Sequence, residues 1–249
     1  MWLHRLVRTL MIGGLAVAAA AWWFKDELPP PATLSPELQD EPKQVRVERR
    51  PIEVRVGGVD YRIQPRYSYD MSALVVSLHH SDSWWDYEHK EWGDNVNLMD
   101  LCVVWGRSAL SGAYKAISFS NNQWECHWSA SSKEAWDAFN QTEAANNHMV
   151  TDDPGVAKAL RRIRIGDQIR VRGYLVNYTT FRNGVPAGMR VSSEVRTDTG
   201  NGACEVLYVE SLETLAPASR AWRNAGLAAL ALFVLSLLAW LFLPPKFED

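Results

Sequence analysis

The sequence predicts a mainly β domain with two short helices, flanked by N- and C-terminal transmembrane helices. Three observations predict this class: the longest apolar runs lie at the two ends of the chain, the middle alternates apolar and polar residues, and two capped helical segments interrupt the alternation. We expect a signal anchor at residues 1–28, an extended proline-rich spacer at 29–43, a β-rich domain at 44–215, and a C-terminal span with a short tail at 216–249.

Both apolar runs have features of membrane helices. Residues 225–243 carry no charged side chain, and a helix of this length spans the ~30 Å hydrocarbon core at a rise of ~1.5 Å per residue. Residues 9–24 form a shorter run behind two arginines, a layout that a cleaved signal peptide shares. Trp22 and Trp23 directly follow the alanines of this run, and tryptophan favours membrane interfaces, so we interpret it as an uncleaved anchor.

The charges around the two runs give conflicting orientations. Arg5 and Arg8 precede the first run and indicate a cytoplasmic N-terminus, whereas Arg220 and Arg223 precede the second run and oppose it. The first segment usually dominates, and long domains cross the membrane largely regardless of their charge. We therefore expect the inner (cytoplasmic) membrane of a bacterium, with both termini cytoplasmic and the domain in the periplasm.

The strands of the domain are predicted from alternation and from apolar runs. Residues 44–63 alternate apolar and polar side chains on either side of a Gly-Gly turn. Residues 72–80 and 98–106 are rich in strand formers and predict central strands that are buried on both faces. Residues 167–181 alternate again, and their Gly173 predicts a bend or a close approach of another backbone.

Two helices and one hairpin complete the predicted elements. Residues 131–141 begin with Ser131 and Glu134 at capping-box spacing, and residues 152–167 offer Asp153 as an N-cap before a proline. The polar stretch 190–210 resembles a catalytic loop in composition. However, its Asn-Gly pair at 201–202 predicts a hairpin between the strand-like runs 189–195 and 203–210.

Residues 163–178, "IRIGDQIRVRGYLVNY", contain a helix end, a Gly-Asp pair and a glycine-containing strand. This element resembles one that is common in OB-fold barrels. The resemblance covers about 15 residues and implies a small, partly closed OB-like β-barrel, with one face that binds oligomers or a partner protein. A β-sandwich with inserted helices is the alternative.

Three cysteines limit the sulfur chemistry. Cys102 lies within an apolar run, as a buried thiol does, whereas Cys126 and Cys204 have polar neighbours. If a disulfide forms, we expect it between Cys126 and Cys204; the alternative is that all three thiols are reduced. The sequence contains no Cys-x-x-Cys pair, which excludes a thioredoxin-like or zinc-ribbon site.

Candidate binding residues cluster in the segment 80–95, "HSDSWWDYEHKEWGDN". Aromatic faces flanked by carboxylates can stack on sugars or hold cations, and they can equally pack a loop onto the barrel. The predicted ligand or partner contacts are Trp84, Trp85, Asp86, Glu88 and Trp92. We predict no metal site, because the histidines lack ligand spacing; the alternative site would use His79, His80 and His127.

The sequence favours a membrane-anchored, extracytoplasmic binding or assembly module that is not an enzyme. No Gly-x-Ser-x-Gly motif or phosphate loop is present, so no catalytic residue and no cofactor is predicted, and the expected partner is a protein. One alternative is a membrane-tethered, metal-dependent hydrolase. Another is a single-strand nucleic-acid-binding OB-like domain that uses Arg170, Arg172, Tyr174 and Tyr178. Residues 43–213 carry 20 Lys and Arg against 22 Asp and Glu, a net charge of −2 that does not favour nucleic acid.

Overall fold

The computed structural model describes residues 2–200 and 202–242. They form two compact units: the terminal segments 2–27 and 219–242, and the domain Leu28–Ala218. The helices are α1 Trp2–Phe24, α2 Glu88–Trp92, α3 Gly106–Leu110, α4 Lys133–Ala138, α5 Pro154–Leu160 and α6 Ala221–Phe242. The strands are β1 Lys43–Arg46, β2 Ile52–Val56, β3 Val59–His80, β4 Asn97–Val104, β5 Ile117–Asn121, β6 Cys126–Ala130, β7 Ala144–Val150, β8 Gln168–Arg182, β9 Val185–Arg190 and β10 Glu205–Ala216.

The first unit is a pair of antiparallel apolar helices, α1 and α6. Each helix is long and apolar enough to cross a membrane. The end of α1 meets the start of α6, where the rings of Phe24 and Trp222 lie 5.2 Å apart and Arg223 donates to the Asp26 carboxylate. Further along, a Cβ on Gly14 would lie 2.9 Å from the carbonyl oxygen of Ala229, the close backbone approach that small residues allow.

The second unit is mainly β, as predicted, and its large sheet is mixed and partly ring-like. β3 pairs antiparallel with both β4 and β8, β4 pairs antiparallel with β7, and β8 pairs antiparallel with β10. The pairing of β10 with β7 is parallel and completes the circuit of five strands. β1 and β2 add to β3 outside this circuit, and β9 adds to β8.

One face of the five strands encloses the main apolar core. Alternate residues point to this side, so that Met99, Leu101 and Val103 of β4 are buried against Val171 of β8 and Leu207 of β10. Gly173 of β8 lies where β10 approaches closely, because a Cβ there would meet the Tyr208 carbonyl oxygen at 1.9 Å. The predicted close backbone approach at this glycine is therefore present.

The predicted hairpin between residues 189–195 and 203–210 does not form. β9 pairs with β8 instead, through a turn in which Asn183 and Gly184 have φ values of 53° and 78°. These are the two positive φ angles that a type I′ turn requires, so a different Asn-Gly pair makes the hairpin. Residues 191–200 and 202–204 contain no strand, and the predicted turn residue Asn201 lies outside the described residues.

The proline-rich segment packs against the domain rather than extending as a spacer. Two short 3₁₀ helices, Pro31–Thr33 and Pro36–Gln39, bring Leu38 into a fully buried position. The side chain of Gln168 fixes the segment, because its Nε2 donates to the Thr33 carbonyl oxygen over 3.1 Å. Burial of apolar surface on the domain outweighs the extended preference of the prolines.

Both predicted helices are present in shortened form. Asp153 caps α5 as expected, since its Oδ1 accepts hydrogen bonds from the backbone N–H groups of Gly155 and Val156. α4 begins one residue later than predicted, with Ser132 as the N-cap in place of Ser131.

Candidate functional site

The candidate site lies on the outer face of β3, β4 and β7, opposite the main core. Strand register sets Asp100 of β4 beside His79 of β3 on one side and His148 of β7 on the other. The neighbours Met99 and Leu101 point into the core, so the alternation of β4 forces the Asp100 side chain to the outer face. Three titratable side chains from three strands are thereby brought into one row.

Asp100 and His148 form a buried ion pair at the centre of this row. The Nδ1 of His148 donates to Asp100 Oδ1 over 2.7 Å, and both side chains are almost fully buried. Burial alone would lower the pKa of His148, but the Asp100 carboxylate outweighs it and raises that pKa to about 9. Burial likewise opposes ionisation of Asp100, and His148 nevertheless holds the pKa of this carboxyl below its usual value.

A chain of hydrogen bonds continues from this pair toward the segment between β3 and β4. Asn97 lies between Asp100 Oδ1 and His89 Nε2, with its Nδ2 at 3.1 Å and 3.2 Å from them. His89 Nδ1 and His79 Nε2 then both contact Asp86 Oδ2, at 2.8 Å and 2.7 Å. Burial lowers the pKa of His89, so this imidazole is neutral at pH 7.

Trp124, in the turn of the β5–β6 hairpin, forms an aromatic wall beside the chain. The ring stacks on His89 at 3.8 Å and on Trp92 at 5.0 Å between centroids. The guanidinium of Arg190 lies 4.3 Å from the same ring, a cation–π contact. The indole Nε1 donates to Glu88, which ties the hairpin to helix α2.

Arg190, at the end of β9, connects this wall to a second polar pair. Its Nη2 donates to Asp94 Oδ2 over 3.3 Å, and the Tyr178 hydroxyl donates to Asp94 Oδ1 over 2.6 Å. Burial, together with the charge of Asp94, raises the pKa of Tyr178 well above its usual value. Arg190 and Tyr178 therefore hold Asp94 in place, and the charge of Arg190 is largely compensated.

These walls border a groove of about 620 Å³. The β5–β6 hairpin and α4 form one side, residues 190–191, 198–200 and 202–204 form the other, and β7 is the floor. The aromatic lining is Trp124, Trp128 and Trp136, and the polar lining includes Glu125, His127, Gln141, Asn146, His148, Arg190, Asp198 and Cys204. A concave site with several aromatic faces and convergent polar groups is the usual form of a ligand site.

The disulfide differs from the expected one. The prediction of a Cys126–Cys204 bridge is wrong, because the structure joins Cys102 to Cys126 and leaves Cys204 as a free thiol. Cys102 lies on the outer face of β4, where the β5–β6 hairpin covers it, so its apolar sequence neighbours did not indicate its partner. The bridge fixes the hairpin, and with it Trp124, to β4.

The predicted binding residues separate into two groups. Trp84 and Trp85 are exposed, at 83% and 59%, and contact each other edge to face. Asp86, Glu88 and Trp92 belong instead to the polar chain and to the wall around Trp124.

The alternative metal and nucleic-acid residues are dispersed. Among the described residues, the group with metal-ligand geometry contains His79 but neither His80 nor His127, which is 57% exposed and lies on β6. Arg170 and Arg172 both pair with Asp70, and Tyr174 and Tyr178 are buried.

Sequence reasoning did not single out Asp100, His148, Trp124 or Arg190. The available signal was Asp100, one charged residue within the apolar run "LMDLCVVWG", because a buried charge requires a partner. The sequence does not identify that partner, which lies 48 residues away on β7.

Comparisons with protein-family models, with curated proteins and with solved structures give no match for this chain.

Proposed function

We propose that the protein is a membrane-anchored, extracytoplasmic binding module built on an OB-like barrel, and that its groove binds an oligosaccharide. The observation that carries the proposal is the groove itself, in which three tryptophans stand beside polar side chains. The domain is held in the periplasm by α1 and α6, with both termini in the cytoplasm. It acts by binding and not by catalysis.

The connectivity of the ring supports the OB-like assignment. An OB-fold is a five-stranded, partly open Greek-key barrel that binds oligonucleotides and oligosaccharides on its second and third strands and on the loops 1–2 and 4–5. If β3, β4, β7, β8 and β10 are the five strands, the second and third strands are β4 and β7. The two loops are then residues 81–96 and 183–204, which carry Trp92 and Arg190. The groove lies on this face.

The charges of the groove favour a sugar over a nucleic acid. Arg190 is paired with Asp94, and His148 is paired with Asp100, so neither cation is free for a phosphate. Glu125 and Asp198 add negative charge to the lining. Binding of a single strand needs a positively charged groove, whereas a sugar ring needs an apolar face and neutral hydrogen-bonding groups.

A matched pair of tryptophan variants tests the proposal. The full-length protein in detergent is applied to an array of bacterial cell-wall oligosaccharides, with a single-stranded oligonucleotide as the second probe. Trp136→Ala, in the groove, is expected to weaken glycan binding by at least about tenfold, or ~1.4 kcal/mol. Trp84→Ala, on the exposed loop, is expected to bind as the wild type does.

Three outcomes would contradict this assignment. The first is that the wild-type protein binds no glycan on the array. The second is loss of binding in Trp84→Ala with normal binding in Trp136→Ala, which would assign recognition to the segment 80–95. The third is salt-sensitive binding of the oligonucleotide in place of a glycan.

A further inference from the structure

We propose that His79, Asp86 and His89 bind a divalent transition-metal ion. One ligand atom from each side chain lies within 4.8 Å of the other two, which brings two nitrogens and one oxygen around a common point. These three residues do not line the groove. The inference therefore goes beyond the proposed function and does not rest on it.

The local fold holds the three side chains in place. His79 comes from the end of β3, and Asp86 and His89 come from the loop and helix α2 that follow it. Asp86 and His89 are almost fully buried, and the His79 side chain is 13% exposed. The two imidazole rings are inclined by only 28°, with their centroids 6.4 Å apart, on either side of Asp86 Oδ2. A site of this kind is preformed, and His79 is its partly exposed member.

A second observation concerns the far side of His89. When a neutral histidine binds a metal through Nδ1, its single proton lies on Nε2 and usually donates to a polar neighbour. His89 Nε2 faces the side-chain amide of Asn97, which is 98% buried, and Asn97 Oδ1 has no hydrogen-bond partner among the described residues. Rotation of this amide would give the Nε2 proton its acceptor, in exchange for the hydrogen bond that Asn97 Nδ2 donates to Asp100 Oδ1.

The ligand set selects the class of ion. Two imidazoles and a carboxylate suit Zn²⁺, Co²⁺, Mn²⁺ or Fe²⁺, whereas Ca²⁺ and Mg²⁺ prefer oxygen ligands. Three protein ligands leave at least one position open. The segment that carries Asp86 also contains two buried hydroxyls, of Ser81 and Ser83, that have no partner among the described residues.

The test is metal binding by the full-length protein in detergent. The protein is stripped with a chelator and titrated with Co²⁺, whose visible absorption reports the coordination, and then with Zn²⁺ in competition. We expect one equivalent to bind to the wild type and to His127→Ala. We expect affinity to fall at least about tenfold in His89→Gln and in Asp86→Asn, since even the loss of groups that support ligands costs this much.

Far-UV circular dichroism establishes that each variant is folded, and His79→Gln, at the partly exposed ligand, is a third variant if a buried one does not fold. A wild-type protein that binds neither Co²⁺ nor Zn²⁺ overturns the proposal. Binding that survives in all three ligand variants, or that is lost in His127→Ala, overturns it as well. None of these outcomes depends on whether a glycan binds to the groove.

Discussion

At the scale of single residues, the Asp100–His148 pair is the feature on which the outer face depends. Both groups are removed from water, so each charge is tolerated only because the other is 2.7 Å away. The pair also anchors Asn97, through which the hydrogen bonds reach His89 and Asp86. Loss of either partner would leave one uncompensated buried charge.

Substitution of His148 by Ala is expected to destabilise the domain by about 3 to 5 kcal/mol. This is the usual cost of leaving one charge of a buried ion pair without its partner. Chemical denaturation of the full-length protein in detergent, followed by tryptophan fluorescence, measures this. His127→Ala is the matched control, because His127 is exposed and should change the free energy of unfolding by less than about 0.5 kcal/mol. Equal effects of the two substitutions would contradict the role of the pair.

The stability of the domain should also depend on pH through His148. Its pKa is raised to about 9 in the folded protein, above the unfolded value of about 6.5, because the Asp100 carboxylate outweighs burial. The stabilisation is therefore fully present below pH ~6.5 and is lost as the pH rises to about 9. Denaturation curves at pH 6.5 and pH 9 should show this decrease in the wild type and a smaller one in His148→Gln. A wild-type stability that rises over this range would argue against the pair.

At the scale of elements, the contact between β8 and β10 leaves no room for a side chain at Gly173. Gly173→Ala is expected to cost about 3 kcal/mol or more, because its Cβ would overlap the backbone of Tyr208 and force the strands apart. Gly188 of β9 is the control, since nothing lies within 4 Å of a Cβ at that position. Thermal unfolding of the two variants compares them, and similar melting temperatures would show that β8 and β10 are not packed this closely.

The β5–β6 hairpin is attached to β4 by the Cys102–Cys126 disulfide, and this attachment can be mapped directly. Digestion without reduction, followed by mass spectrometry, should yield a linked peptide with Cys102 and Cys126, while Cys204 reacts with an alkylating reagent. Removal of the bridge by Cys126→Ser should cost about 2 to 4 kcal/mol. A linked peptide that contains Cys204 would refute this pairing.

The elements were predictable from the sequence to different degrees. Alternation and apolar runs identify β3, β4 and β8, and the cap at Asp153 identifies α5, because these signals are local. The site was less predictable, since Asp100 and His148 meet only through the register of β4 and β7. The hairpin was assigned to the wrong Asn-Gly pair, because the turn signal does not reveal which strand is the partner of β8.

At the scale of the whole molecule, the protein has two parts: a β-rich domain with a groove, and two apolar helices that could cross a membrane. Because α1 and α6 are antiparallel, residues 2 and 242 lie at the same end of the helical pair. This arrangement agrees with two termini on one side of the bilayer. We propose that the β-rich domain lies on the other side, outside the cytoplasm.

Labelling of single cysteines in intact bacterial cells tests this membrane topology. In a Cys204→Ser background, Gly188→Cys adds a thiol on the exposed strand β9, and Arg5→Cys adds one near the N-terminus. A membrane-impermeant maleimide should label the first position in intact cells and the second only after lysis. Labelling of the Arg5→Cys protein in intact cells, with position 188 protected until lysis, would contradict the claim.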